Sequence, residues 1–152
     1  MATTTIPAVD PRSIAAPAAE LMAEVVLTSA EVKALAATNI TLVPAPGAGL
    51  AIVPTGVYYF LDRNAAYDDA AADGDLILAY HTTQTALITT QADGVIDAAA
   101  DTGVYERPAV TDFVPEANTA LVLDNDGAEF TGDAGGVNTL KVRVYYRVVP
   151  FA

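Results

Sequence analysis

Residues 138–150, Asn-Thr-Leu-Lys-Val-Arg-Val-Tyr-Tyr-Arg-Val-Val-Pro, constrain the fold more than any other segment of the chain. Leu140, Val142, Val144, Tyr146 and Val148 share one parity; Lys141, Arg143, Tyr145 and Arg147 share the other. A period of two sustained this long predicts a strand with one face buried and the other turned outward. At ~3.3 Å per residue a twelve-residue strand spans ~40 Å, so it is expected to bend or to cross an interface. The outward parity collects three of the chain's seven basic residues, against nineteen acidic ones and a formal net charge of −12. So local a basic stripe on so acidic a chain points to an assembly surface.

The charge balance also excludes partners. Neutralising phosphates takes a basic patch, and the field of this chain repels a polyanion, so no nucleic acid is expected. A membrane surface is disfavoured for the same reason. No apolar run approaches the ~20 residues of a transmembrane helix. The N-terminus lacks a basic segment followed by an apolar one, so a cleaved secretory signal is not expected and synthesis in the cytoplasm is. A length of 152 residues fits one domain able to bury its own core. There is no cysteine, hence no disulfide framework or thiolate metal site.

Along the chain, residues 1–23 read as an extended N-terminal arm. Pro7, Pro11 and Pro17 are spread among small residues with no sustained apolar period. Ala15 to Ala23 has room for a short helix around Leu21 and Met22. The body, residues 24–152, opens with a strand at Val25–Leu27. Thr28-Ser-Ala-Glu31 then forms a capping box that starts a helix running to about Ala37, with Val32 and Leu35 on its apolar side. Further strands are expected over 40–43, 50–53, 56–62, 75–81, 86–90, 110–114 and 119–124. Pro44 to Gly49 and Asn125-Asp126-Gly127 are turns, and Asp73-Gly74 is a hairpin signal. Residues 91–103 read equally as helical turns or as loop. Short strands, regular turns and one early helix indicate an all-β, jelly-roll-like β-sandwich.

Catalytic constellations are weak. His81 is the only histidine, read as the end of a strand, and the serines are Ser13 in the arm and Ser29 in the helix cap. No nucleophile elbow surrounds either serine. One histidine and no cysteine leave no transition-metal site. Asp68, Asp69, Asp73 and Asp75 form one acidic group; Asp124, Asp126, Glu129 and Asp133 form another. Neither has EF-hand spacing, and solvated loops are the expected reading over a loosely bound divalent ion. The chain reads as no enzyme, with no cofactor and no resident metal. The candidate interface residues are Lys141, Arg143, Tyr145 and Arg147, with Tyr59 from a Tyr58-Tyr59-Phe60 run and Ile6, Pro7, Val9, Pro11 and Arg12 of the arm. The competing reading of the basic stripe is protection of an edge strand against unwanted pairing.

Three segments carry a family resemblance: Leu27-Thr-Ser-Ala-Glu-Val-Lys-Ala-Leu35, Leu42-Val-Pro-Ala-Pro-Gly-Ala-Gly49 and Leu140-Lys-Val-Arg-Val-Tyr-Tyr-Arg-Val148. Through these the chain, over most of residues 25–149, resembles small virion proteins of tailed bacteriophages, the head decoration (cement) group. The resemblance implies a homotrimeric β-domain on the capsid exterior, bound to the major capsid protein, with arms reaching neighbouring subunits and no catalysis. The alternative is a head- or tail-fibre module that recognises a host surface. A secreted carbohydrate-binding module is a weaker third reading, opposed by the absence of tryptophan.

Overall fold

The computed structural model describes residues 18–68, 74–90, 92–108 and 114–151. Along these residues the chain forms β1 (Leu21–Thr28), α1 (Ser29–Lys33), β2 (Ile40–Val43), β3 (Leu50–Asp62), β4 (Tyr67–Asp68), β5 (Leu76–Tyr80), β6 (Ala86–Thr90), α2 (Ala92–Val95), β7 (Thr102–Glu106), β8 (Leu121–Asn125), β9 (Thr131–Gly132) and β10 (Thr139–Pro150). One sheet has the order β1-β10-β3-β7 and the other β2-β8-β5-β6, while β4 and β9 pair separately. All pairings are antiparallel. Apart from the small β4–β9 pair, the chain alternates between the two sheets and stays in one only for the β5–β6 hairpin. That is jelly-roll order, and the fold is the all-β sandwich expected from the sequence.

The core lies between the sheets. From the first sheet Leu140, Val142 and Val144 of β10 and Val57, Tyr59 and Leu61 of β3 point inward; Leu76, Leu78, Leu121 and Leu123 answer from the second. Tyr80 joins them, its hydroxyl donating to the Ile52 carbonyl, and burial pushes that hydroxyl's pKa up to about 12. Helix α1 closes one end of the core with Val32, and Leu35 in the turn after it packs there too. Its start is the expected capping box: the Glu31 carboxylate accepts from the Thr28 N–H at 2.8 Å, and Thr28 Oγ1 accepts from the Glu31 N–H at 3.4 Å.

The closing strand runs opposite a bulge in β3. Its register against β3 slips between Tyr145 and Tyr146, which face Gly56 and Pro54 and skip Thr55. A bulge is one of the few places inside a sheet that tolerates proline, because no ladder hydrogen bond is demanded of it there.

Several expectations are corrected. The closing strand is not an edge over most of its length: β3 pairs with it from Thr139 to Pro150 and β1 from Thr139 to Tyr146, which removes edge protection as the reason for Lys141 and Arg143, while at Arg147 β3 is its one neighbour among the described strands. Leu21, Met22 and Ala23, assigned above to the arm and to a possible helix, belong to β1 and pair with Tyr146, Tyr145 and Val144. The helix ends at Lys33 and continues to Ala37 only as turns. The strands expected over 50–53 and 56–62 are one strand. The strand expected over 110–114 lies outside the described residues except for Val114, which belongs to no strand. Of residues 91–103, which the sequence left open, Ala92–Val95 form α2 and the last two begin β7, Thr102–Glu106, a strand not expected from the sequence.

Candidate interaction surface

The outward parity of the first sheet forms a grid that can be read off its register. One row runs Glu24, Arg143, Tyr58, Tyr105; the next runs Val26, Lys141, Phe60, Gly103; a third runs Met22, Tyr145, Gly56. Along β10 and β3 each residue sits there because its neighbours of opposite parity are drawn into the core.

Two glycines shape the grid. A Cβ on Gly56 would stand 2.7 Å from Cζ of Tyr105, and one on Gly103 would stand 3.0 Å from Cζ of Tyr58. The two tyrosine rings therefore lie flat across the sheet, each over the glycine of the other's strand. The Tyr105 ring also meets Tyr145 edge-on, with centroids 6.1 Å apart and planes at 70°. Arg107 Cζ stands 5.7 Å from the Tyr105 ring centroid, within cation–π range. The result is a shallow aromatic plate with cations beside it.

Three of the six exposed large apolar side chains among the described residues lie on the same side, the others being Leu21, Val114 and Val137. Among the described residues Met22 is 54% exposed, Val26 53% and Tyr105 47%, high values for large apolar side chains. The ion pair on the face joins Arg143 Nε to Glu24 Oε2 at 2.5 Å. The hydrogen bond from Arg143 is the main reason that the Glu24 carboxyl sits below its ordinary pKa, and Arg143 and Lys141 add Coulombic attraction. Both partners are well exposed, so the pair adds little stability.

The sequence-derived candidates fare unequally. Lys141, Arg143 and Tyr145 are half-buried on the grid, and Arg147 is exposed on the same strand beyond the bulge. Arg143 meets a carboxylate of its own chain rather than standing free for a partner's. Tyr59 is no surface residue: it is fully buried, and desolvation raises its hydroxyl pKa. Tyr58 and Phe60 take the outward positions instead. Ile6, Pro7, Val9, Pro11 and Arg12 lie outside the described residues. The sequence reading missed Met22, Val26, Tyr105 and Arg107, because β1 was read as arm at Met22 and β7 was not recognised as a strand.

Away from the grid, a second polar constellation joins α1, β4 and the β9–β10 loop. Asp133 Oδ2 accepts from the Asn138 N–H at 3.1 Å, and Asn138 Oδ1 accepts from the Asn64 and Ala65 N–H groups at 2.7 and 2.9 Å. The hydroxyls of Ser29 and Tyr67 lie near Asp133 without a close hydrogen bond. Burial opposes ionisation of Asp133. The Ser29 hydroxyl, the Asn138 and Val137 N–H groups and the Lys33 charge outweigh it and hold the carboxyl below its usual range. Ser29 thus serves a buried structural cluster. His81 is exposed just after β5, and its backbone N–H donates to the Ala120 carbonyl.

Of the acidic groups, Asp75 and Asp126 come together across the sandwich edge, but Asp126 Oδ1 accepts the Asp75 backbone N–H at 2.7 Å. Asp69 and Asp73 lie outside the described residues. Among the described residues no three acidic or histidine side chains gather as a metal site would require.

No family model matches the chain, and no curated protein matches it. Among solved structures, a chain of the cyanophage Pam1 capsid asymmetric unit is similar, with a TM-score of 0.53 and 17% sequence identity. The likeness is one of fold. It covers 93% of this chain and 99% of that one, so it takes in the whole sandwich rather than a shared fragment.

Proposed function

We propose that this chain is a structural protein of a tailed-phage virion, a non-catalytic decoration (cement) protein that sits on the outside of the head and reinforces the shell. The observation that carries the reading is the end-to-end fold likeness to a chain of a cyanophage capsid asymmetric unit. Three features of this chain agree with it: a rigid jelly roll, an outer sheet face built of exposed aromatic and apolar residues with cations among them, and an acidic balance unsuited to nucleic acid or membrane. A decoration protein needs a stiff body and a sticky face. It needs no cleft.

The reading is tested by counting. Cryo-electron microscopy and quantitative mass spectrometry of purified particles should find this chain on the exterior of the head lattice, in a copy number comparable with the shell protein's. A few copies per particle, confined to one vertex or to the tail, would assign it to a fibre instead.

A further inference from the structure

The first sheet's outer face is charged opposite to the rest of the molecule. Lys141, Arg143 and Arg107 lie on it and Arg147 borders it; of its carboxylates Glu24 is already paired with Arg143, and Asp62 stands at the end of β3. The rest of the sequence holds three basic residues, Arg12, Lys33 and Arg63, against seventeen acidic ones. A copy of this protein therefore carries a locally cationic, aromatic face on a strongly acidic chain.

That segregation decides which contact the face can make. Two copies meeting face to face about a twofold axis would bring Lys141, Arg107 and Arg143 against their own equivalents, and juxtaposed like charges cost several kcal/mol. Meeting face to flank, each copy sets cations and aromatic rings against carboxylates. The acidic protein certain to be present wherever this chain is made is another copy of it.

We propose that the outer face of the β1-β10-β3-β7 sheet docks the acidic flank of a second copy of this chain, head to tail. Met22, Val26 and Tyr105 supply the apolar contact, and Lys141 and Arg107 supply the charge. Four strands ~4.8 Å apart and about eight residues long offer roughly 500 Å². That is the low end of specific interfaces, so the contact is expected to be weak and concentration-dependent. The inference rests on the decoration reading only for where the contact matters; the contact itself is a property of the free protein.

The experiment is sedimentation velocity on the full chain, from sub-micromolar to near-millimolar, in about 0.1 M and about 1 M salt, where the Debye length is ~10 Å and ~3 Å. The wild type should associate with concentration, and more weakly at high salt. The Arg107→Glu/Lys141→Glu variant should associate about tenfold more weakly or not at all. Met22→Ser/Val26→Ser should weaken association less, and with the same salt dependence as the wild type. Far-ultraviolet circular dichroism and thermal melts of both variants should match the wild type, since neither touches the core.

A wild type that stays monomeric throughout overturns the proposal, as does a charge-reversed variant that associates as tightly. Tighter association on deletion of residues 1–17 would mean that the chain's own N-terminal segment is the occupant, and overturns it too. A monomeric free protein that still coats particles would sink self-docking and leave the decoration reading standing. Head-to-tail association of a protein found at only a few copies per particle would do the reverse.

Discussion

The two sheets of the sandwich turn opposite kinds of surface outward. On the second sheet the outward residues Ile77, Ala79 and Val122 are 4%, 0% and 0% exposed, with Ala86 packed against them: a small, dry, uncharged cluster. On the first sheet the equivalent layer is half open, aromatic and cationic. The sequence writes the difference plainly. Leu76-Ile-Leu-Ala-Tyr80 and Leu121-Val-Leu123 are apolar on both parities, the mark of strands covered on both faces, whereas 139–147 alternates with charge. A strand's second parity thus tells whether its outer face is finished within the chain or left for something else.

The sharpest way to break this comparison is to put a carboxylate on each face. Val122→Asp buries a charge with no cation within reach among the described groups on its face, and should cost about 4 kcal/mol or more. Val26→Asp places the same group in water across from Lys141 and should stay within ~0.5 kcal/mol. Urea denaturation of the two variants decides it. Similar costs would mean that the first face is as covered as the second.

The same contrast operates inside one strand. Tyr59→Ala empties a fully buried site and should cost about 3–4 kcal/mol, while Tyr58→Ala, on the outer grid, should cost about 1 kcal/mol. Tyr59→Phe should be nearly silent, within ~1 kcal/mol, because the Tyr59 hydroxyl has no close hydrogen-bond partner to lose. A large loss in Tyr59→Phe would show that the nearby Thr90 hydroxyl is a true partner.

These tyrosines also mark where sequence reasoning stops. Val57-Tyr-Tyr-Phe-Leu61 is apolar on both parities, so alternation cannot say which rings face the core. Asp62, of the same parity as Tyr58 and Phe60 and exposed at the strand's end, was the available signal that those two point outward. The capping box at Thr28 and Glu31, the alternation of β10 and the strands at 40–43 and 86–90 were legible because each is written in local chemistry: a cap pair, a period, a run between turns. Strand β7 was not legible. Thr102-Gly-Val-Tyr-Glu106 has a glycine mid-strand and little to bury, and it becomes a strand because Tyr58 fills the place its missing side chain leaves. The centrality of β10 was equally hidden, since no local pattern says that residues 21–28 return to pair with 139–146.

Acid sharpens the comparison differently, because carboxylates on both the open face and the buried cluster are held ionised. The carboxyls of Glu24, Glu31 and Asp133 all sit below their ordinary values, lowered chiefly by Arg143, by Thr28, and by Ser29 with the Asn138 and Val137 N–H groups against opposing burial. A depressed folded value gives stability that is complete above the ordinary range near pH 4 and is lost as pH falls through the folded value. Thermal melts should therefore be flat from neutral pH to about 5 and fall below about 4. Asp133→Asn should flatten that fall more than Glu24→Gln, whose partner Arg143 remains solvated. Equal flattening would place the acid sensitivity on the surface pair instead of the buried cluster.

A small expected effect on stability accompanies the most direct probe of the open face. Gly56→Ala puts a methyl group 2.7 Å from Cζ of Tyr105, too close for both to stay. The backbone has no reason to yield, since Tyr105 is 47% exposed and can swing outward. Leaving, the ring gives up its edge contact with Tyr145, a loss of about 0.5–1.5 kcal/mol. Replacing glycine by alanine in a strand returns roughly 0.5–1 kcal/mol, so net stability should change by less than ~1 kcal/mol. Association should weaken severalfold, because the plate loses its outermost ring while its charges stay in place. The chain has no tryptophan, so tyrosine emission and the Tyr105 and Tyr145 ring resonances can follow the displacement directly. Unmoved resonances in a well-folded Gly56→Ala variant would show that Tyr105 does not lie over Gly56, and the flat aromatic face would lose its physical basis.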